Sequence, residues 1–480
     1  MLSHLFISSF ERICIMNKFI KIVSFLLVLL VFLIGLNNIF KFKYGDGIYG
    51  LEKFYDLEDN SIDLLVLGSS HAFEDINPAV LWEEQGIASY DLCGSVQPMW
   101  NTYYYLKEAL KSQTPKLIIL EGYMLSYEDD YSDDSRIIKN NYGLGWSLDK
   151  VNSLKVSCPN DRFNDFVFEV GQYHNRYKSI TKEDFLPNQG NPFFEDWKGN
   201  GNNRQIYVCE EPQVSQIGDS LALNPKTEEY YRKVLQLAED NNIAIMVVIS
   251  PYPGITETAQ KKYNMGMQIA EEYNVPFYNF NNMYDDLMID FAMDFADEDH
   301  LNNYGNYKYT KFLSNMLAEN YGDYIVDRRN DENYVSWDRM LQFYHREETN
   351  YDIKLNYNEI SDYMEIFNDP NYLCVIMINN TDDTYSKQIE KLGDNNTFYI
   401  YDKGGLIFDS KNNGEKFIYS ISRYNDISVD LTQNGDGILF NGVQYKKVDA
   451  GINIFVYDYI TDTVVTAIGF DATHELATVK

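Results

Sequence analysis

Positive charge is what this chain most lacks. Its 40 Lys and Arg face 72 Asp and Glu, leaving a formal net charge of −32. Nucleic acid needs a positive footprint, so that class of partner is excluded. Peripheral docking on an anionic membrane surface is excluded for the same reason. The acidity is spread along the chain, so its first meaning is solubility. Cysteine is scarce too: Cys14, Cys93, Cys158, Cys209 and Cys374 are scattered. No pair has metal-ligand spacing, and five isolated positions make no disulfide framework. Cys158 and Cys209 are the pair that could bridge, but buried free thiols are the expected state. No cofactor is expected. After residue 40 no second run is long and apolar enough to span a membrane.

The one such run, residues 20–40, is broken only by Lys21, Ser24, Gly35 and Asn37-Asn38. Arg12 and Lys18 precede it, Lys21 sits at its start, and Lys41 and Lys43 follow, so the flanking charge is not one-sided. The run exceeds the roughly 7–15 residues of a cleavable signal's apolar region. Gly35-Leu-Asn-Asn-Ile-Phe40 offers no small-residue cleavage site. The expectation is an uncleaved signal anchor over residues 18–42, with the N-terminus inside and the bulk of the chain outside the cell. Met16 is an alternative start that would exclude residues 1–15 from the protein. Residues 44–60 read as a polar juxtamembrane linker. Tyrosine is abundant, at 40 residues. Tyr rings stack on sugar faces, although compositional bias gives the same count.

Residues 62–67 form a short apolar run without polar alternation, as in a strand buried on both faces. It ends at Gly68-Ser69-Ser70-His71, small residues that let the backbone turn. A helix over 78–85 follows, starting at a proline and stopped by Gly86. A strand at 88–92, a helix at 100–111 and a strand at 117–120 continue the alternation. That rhythm specifies an α/β domain whose parallel sheet is covered on both faces. It breaks over about 126–223, an Asn-, Asp- and Gly-rich insert that is a candidate lid or acceptor wall. A helix at 164–180 is expected inside it, and His174 there has two readings, a substrate contact or, the favoured one, an ordinary surface or core histidine. Order returns with a helix at 226–241, a strand at 243–249, a helix at 256–273, a strand at 276–280 and a helix at 303–320. The domain so outlined spans 60–325, and 326–350 reads as a linker. From 351 to 480 short β-prone runs at 374–377, 397–401, 418–421, 452–457 and 464–468 alternate with Gly, Asn and Asp turns. With one helix at 384–392, they describe a smaller α+β domain made mainly of strands.

In an open α/β sheet, chemistry is done at the C-terminal strand edge, where Ser70 lies. Asp297 and His300, ahead of the last helix of the domain, supply an acid and an imidazole at fixed spacing. Together they are the material for a serine nucleophile with its base and orienter. Taken alone, Ser70 has a plainer reading as a helix cap. His71 has two readings, a residue lining the site or, the favoured one, a polar residue beside the turn; Glu121 reads as a structural carboxylate at a strand end.

The Gly68-Ser69-Ser70 turn resembles the first block of the SGNH (GDSL-type) hydrolase superfamily, and Asp297-x-x-His300 its last block. Ser in place of Asp in the first block resembles the membrane-anchored D-alanyl-transfer and polysaccharide O-acetylation branch. The resemblance implies a three-layer flavodoxin-like fold, with Ser70 as nucleophile, His300 as base and Asp297 as orienter. It implies oxyanion donors at the backbone amides of Ser70 and Gly94. The superfamily's third block carries Gly-x-Asn, where this chain reads Glu121-Gly-Tyr-Met124. Gln97 and Asn101 are the candidate replacements for the missing amide.

Thr397 to Phe408, Gly451 to Asp458 and Gly469-Phe-Asp471 resemble the interleukin-like EMT inducer (ILEI/PANDER) domain. That resemblance implies a carbohydrate-binding module, as in the stem of an O-mannose glycosyltransferase. The disulfide cysteines usual in that domain have no counterparts here.

Three readings result. The first is a cell-surface acyltransferase or esterase working on O-acyl groups of an extracellular polysaccharide. The second is a non-catalytic glycan-binding surface protein. The third is an accessory subunit of a multispanning membrane O-acyltransferase. The expected topology gives a direct test: protease treatment of intact cells releases a large soluble fragment from the region after residue 45. A fragment protected until lysis refutes the orientation.

Overall fold

The computed structural model describes residues 2–41, 46–128, 130–167, 170–173, 176–180, 182–185, 197–201, 203–379, 396–421, 425–431, 437–472 and 477–479. His174 and the helix expected at 384–392 lie outside the described residues. The chain divides into two compact units, Met1–Leu341 and Gln342–Lys480.

The first unit opens with helix α1 (Leu2–Phe40). Its Lys18–Phe40 stretch has 23 residues, a mean hydropathy of 2.9 and no burial, so it is long and apolar enough to cross a membrane. The stretch read as a polar linker is in part a helix, α2 (Asp46–Tyr55), which buries Ile48, Leu51 and Phe54. Those positions fall three residues apart, a helical stripe too short to stand out from its polar surroundings.

Five strands follow: β1 (Leu64–Gly68), β2 (Ser89–Cys93), β3 (Leu117–Glu121), β4 (Ala244–Ile249) and β5 (Phe277–Asn279). They pair in parallel in the order β2-β1-β3-β4-β5. This is the flavodoxin-like order of a doubly wound sheet. Strand β1 shows why two helical layers are needed. Leu65 and Leu67 pack toward α5 (Met99–Ala109) and two later helices, Pro225–Asp240 and Glu257–Glu272. Leu64 and Val66 pack on the other face against α3 (Ser70–Asp75), α4 (Pro78–Gln85) and the helix Asn303–Asn320. A strand apolar on both sides is stable only between two covers.

Within the span of the helix expected at 164–180, the described residues hold two short α-helices instead of one. The insert contributes α6 (Asp134–Lys139), α7 (Leu148–Ser157), α8 (Phe163–Val167) and α9 (Val170–Tyr173). Midway along it, Arg176 donates to the carbonyls of Ile39, Phe40 and Lys41 at 3.2, 3.2 and 2.7 Å. It also pairs with buried Asp184 at 2.5 Å. A guanidinium suits the end of α1, where the last carbonyls have no partner within the helix.

With the insert's helices and the three already given as α10 (Pro225–Asp240), α11 (Glu257–Glu272) and α12 (Asn303–Asn320), the next is α13 (Val335–Asn356). It occupies much of the stretch read as a linker, and the division between the units falls within it. Its buried positions Trp337, Met340 and Tyr344 have helical spacing, but aromatics carry most of it rather than aliphatics.

The second unit holds two antiparallel sheets, where sequence runs suggested only five strands. One has β9 (Lys416–Ser420), β10 (Asp426–Asp430), β11 (Gly437–Phe440) and β12 (Val443–Gln444) in the order β12-β11-β10-β9. The other contains β6 (Tyr372–Asn379), β7 (Thr397–Asp402), β8 (Gly405–Asp409), β13 (Gly451–Asp458), β14 (Thr463–Asp471) and β15 (Ala477–Val479). Its order is β15-β14-β13-β6-β7-β8. Along β6, Leu373, Val375 and Met377 join Val429 and Ile438 in one core, while Cys374, Ile376 and Ile378 join Ile353 and Phe367 in another. The period of two thus makes a sandwich backed by helical turns. Fully buried Asp458 is held by Arg346 Nε at 2.9 Å, Asn350 Nδ2 at 2.6 Å and Thr461 Oγ1 at 3.1 Å.

Candidate active site

Strand β1 delivers the chain to Gly68, and the backbone turns at once into α3 with Ser70 as its first residue. The turn is tight. A Cβ at residue 68 would lie 2.8 Å from Glu121 Cβ and 3.0 Å from Ala72 Cβ, so glycine alone lets β1, β3 and α3 converge.

The other half of the site is the loop 296–300, closed by an antiparallel bridge between Phe295 and Leu301 just ahead of α12. Asp297 organises it. Its Oδ1 accepts the amide N–H groups of Asp299 at 2.8 Å and His300 at 2.9 Å. Aspartate bonding the backbone two and three residues on is a local turn device. It leaves the same carboxylate beside the imidazole, with His300 Nδ1 at 3.0 and 3.1 Å from its two oxygens. His300 Nε2 lies 2.8 Å from Ser70 Oγ. The tautomer that satisfies both contacts carries its proton on Nδ1, leaving Nε2 to accept the Ser70 hydroxyl. Burial pushes the Asp297 carboxyl up, but the two amides and the imidazole outweigh it and hold the group below the ordinary carboxylate value. Asp297 is therefore an anion at neutral pH. Sequence-distant Ser70 and His300 are thus brought together with Asp297 in one hydrogen-bonded row. Such a row can withdraw the hydroxyl proton as the oxygen attacks a carbonyl.

Gly94 follows Cys93, the register partner of Gly68, so it lies alongside the Ser69-Ser70 turn. The two side chains offered as replacement donors are otherwise engaged. Asn101 Nδ2 donates to Asn140 O, Asn141 Oδ1 and Ser153 Oγ at 2.9–3.2 Å, and its Oδ1 accepts from Tyr131 and Ser157. It ties the insert to α5. Gln97 Nε2 donates to Thr102 Oγ1 at 3.1 Å. Met124, at the Asn position of the resembled third block, is buried in the core. Asn140, which nothing in the sequence singled out, lies against the Gly94 turn. Its Nδ2 donates to Ser95 O at 3.0 Å, and its Oδ1 lies 2.3 Å from where a Cβ on Gly94 would be.

His71 is no bystander at the surface. Its ring is buried, stacks on Tyr123 at 3.7 Å between centroids and lies 4.9 Å from the His300 ring. Burial, with His300 adding to it, pushes its pKa well below the ordinary value, so it is neutral at pH 7. Tyr252 packs edge-on to both His71 and Tyr123. The Tyr123 hydroxyl donates to Asp299 at 3.3 Å, and the Tyr207 hydroxyl to Glu298 at 3.4 Å. No spacing rule joins these aromatics, since each comes from a different element.

Glu121 is fully buried at the end of β3 and accepts the amides of Tyr123 at 3.0 Å and Ser250 at 3.5 Å. Among the described residues no group of His, Cys, Asp and Glu forms a metal-binding cluster. The described cysteines, Cys93, Cys158, Cys209 and Cys374, are free thiols.

No family model matches the chain, and no curated protein matches it. Among solved structures it is similar to a "putative lipolytic protein of G-D-S-L family from Desulfitobacterium hafniense DCB-2". The identity is 13%, the match covers 54% of this chain and 100% of that one, and the TM-score is 0.28.

Glu121 generates a pH prediction. Burial pushes its carboxyl up to about 8, from 4.5 in the unfolded chain. A raised folded pKa favours the folded state fully below pH 4.5, and that contribution is lost as pH rises toward 8. Glu121→Gln keeps an acceptor for both amides and carries no charge. Its melting temperature should match the wild type near pH 4.5 and exceed it at pH 8; equal melting temperatures at pH 8 contradict the assignment.

Proposed function

We propose that this chain is a membrane-anchored, serine-dependent O-acyltransferase or esterase acting on O-acyl groups of a cell-surface glycan. The observation that carries the reading is the hydrogen-bonded row of Ser70, His300 and Asp297. Ser70 Oγ attacks the acyl carbonyl while His300 Nε2 takes the hydroxyl proton. Asp297 orients the imidazole and stabilises its charged form. Collapse of the tetrahedral intermediate releases the leaving oxygen, which receives that proton from His300. The acyl-serine is then attacked by a sugar hydroxyl in transfer or by water in hydrolysis, with His300 again as base. The amides of Ser70 and Gly94 are the proposed oxyanion donors. Gln97 and Asn101 support the turn and the insert instead of donating directly.

A glycan substrate is supported by the rim of the site, where Tyr123, Tyr207, Glu298 and Asp299 present hydroxyls and carboxylates suited to a polyol. Anchoring is supported by the 23-residue apolar helix. A multispanning membrane O-acyltransferase is the partner class that would deliver acyl groups to such a site.

Incubating the protein with an activated acetyl ester should acylate Ser70, seen as a mass shift on its peptide. Ser70→Ala and His300→Ala should each abolish turnover, and the double variant should lose little more, because members of such a unit act together. Asp297→Asn should be severely but incompletely impaired, on the order of 10⁴-fold in kcat. Full activity in Ser70→Ala sinks the reading.

The second unit is proposed as a carbohydrate-binding module that holds the polymer near the site. Residues 342–480 carry two buried cores of their own. That fragment should retain oligosaccharides on a glycan array, and a signal no higher than that of denatured protein removes the module reading while leaving the triad intact.

A further inference from the structure

We propose that Asp75 is a positioning residue for the serine chemistry, fixing the separation between the helix that starts at Ser70 and the loop that carries His300. The proposal rests on the acyl-transfer reading above.

Asp75 is the last residue of α3 and is fully buried. Its Oδ1 accepts the Leu301 amide N–H at 3.0 Å, across 226 positions of sequence. That N–H belongs to the rigid peptide unit directly after His300. One hydrogen bond therefore joins the short helix bearing the nucleophile to the backbone bearing the base. One turn earlier on α3, His71 Nδ1 lies 3.5 Å from Asp75 Oδ2. The His71 ring in turn backs the His300 ring at 4.9 Å. The imidazole is thus fixed at its backbone by Asp75 and packed by His71, which leaves Nε2 directed at Ser70.

Burial raises the Asp75 carboxyl well above the ordinary carboxylate value and lowers His71, so the two form a neutral contact instead of an ion pair. The service Asp75 renders is that of an acceptor of the Leu301 N–H, and an asparagine can supply it. Three other bonds join the same stretch to α12 without touching the His300 backbone. Asn306 Nδ2 donates to Glu74 O, Thr310 Oγ1 donates to Asp75 O at 3.3 Å, and Asn77 N donates to Thr310 Oγ1 at 3.0 Å. They stabilise the contact between the helices but leave the register of His300 to Asp75.

The test uses the full chain in detergent with p-nitrophenyl acetate as substrate and a fluorophosphonate as a label for Ser70. A displacement of about 1 Å at a reacting pair costs on the order of 10²-fold in rate. Asp75→Ala should lower kcat and the Ser70 labelling rate by about that factor, with KM unchanged, since only orientation is lost. Asp75→Asn should recover most of that loss. Thr310→Val should lower the melting temperature but keep the wild-type kcat. If Asp75→Ala does not fold, Asp75→Ser, whose hydroxyl is too short to reach the amide, takes its place with the same expectation. An unimpaired Asp75→Ala beside a Ser70-dependent wild type overturns the proposal alone. So does an Asp75→Asn as slow as Asp75→Ala, or a Thr310→Val that loses kcat in step with stability. A wild-type turnover no higher than that of Ser70→Ala overturns the acyl-transfer reading and the proposal with it.

Discussion

The parallel pairing of β1 between β2 and β3 is the constraint on which the site depends. Register sets Gly68 against Cys93, and the close approach at Gly68 brings Glu121 of β3 to the same point. Three strand ends therefore finish together. Ser70 leaves from the first, Gly94 from the second and Tyr123 from the third. Each residue owes its place to a backbone ladder whose hydrogen bonds are shielded by both helical layers. Adding a side chain at residue 68 would force this convergence apart, because two of the nearest atoms are a Cβ and a backbone oxygen with little freedom to yield.

Charge is unevenly distributed in that small volume. Four ionisable side chains, Asp297, Asp75, Glu121 and His71, surround the Ser70–His300 contact. Asp297 alone has amide donors strong enough to outweigh burial, and its carboxyl is held low. The carboxyls of Glu121 and Asp75 and the imidazole of His71 are driven toward their neutral forms by burial. Asp299, whose carboxyl burial raises, also lies within electrostatic reach of the His300 ring.

The second unit follows a different rule. Its strands are antiparallel and short, and its sandwich is made by the alternation of β6 and β13 between two cores. Its buried acid, Asp458, is matched by Arg346 and by two neutral donors.

Much of this could be read from local signals. Residues 62–67 announce a strand because they are apolar without alternation, and Pro78 and Gly86 bound their helix because one suits a first turn and the other a left-handed end. Asp297 and His300 could be read as a pair because an acid and an imidazole three residues apart lie on one turn of chain. What sequence alone determined is therefore whatever a few neighbouring residues decide by backbone preference and short-range hydrogen bonding. The tertiary structure decided the rest. Ser70 meets His300 across 230 positions only because the sheet brings them together. Of the two readings open for His71, the structure places its ring against that of His300, because burial depends on partners far along the chain. Asn101 was a candidate donor by position and became a structural tie because the insert folded over it. The helix over 335–356 was hidden because its stripe is mostly aromatic and makes sense only against its packing partners. Burial and long-range contact are sums over the whole fold, and no window of neighbouring residues contains them.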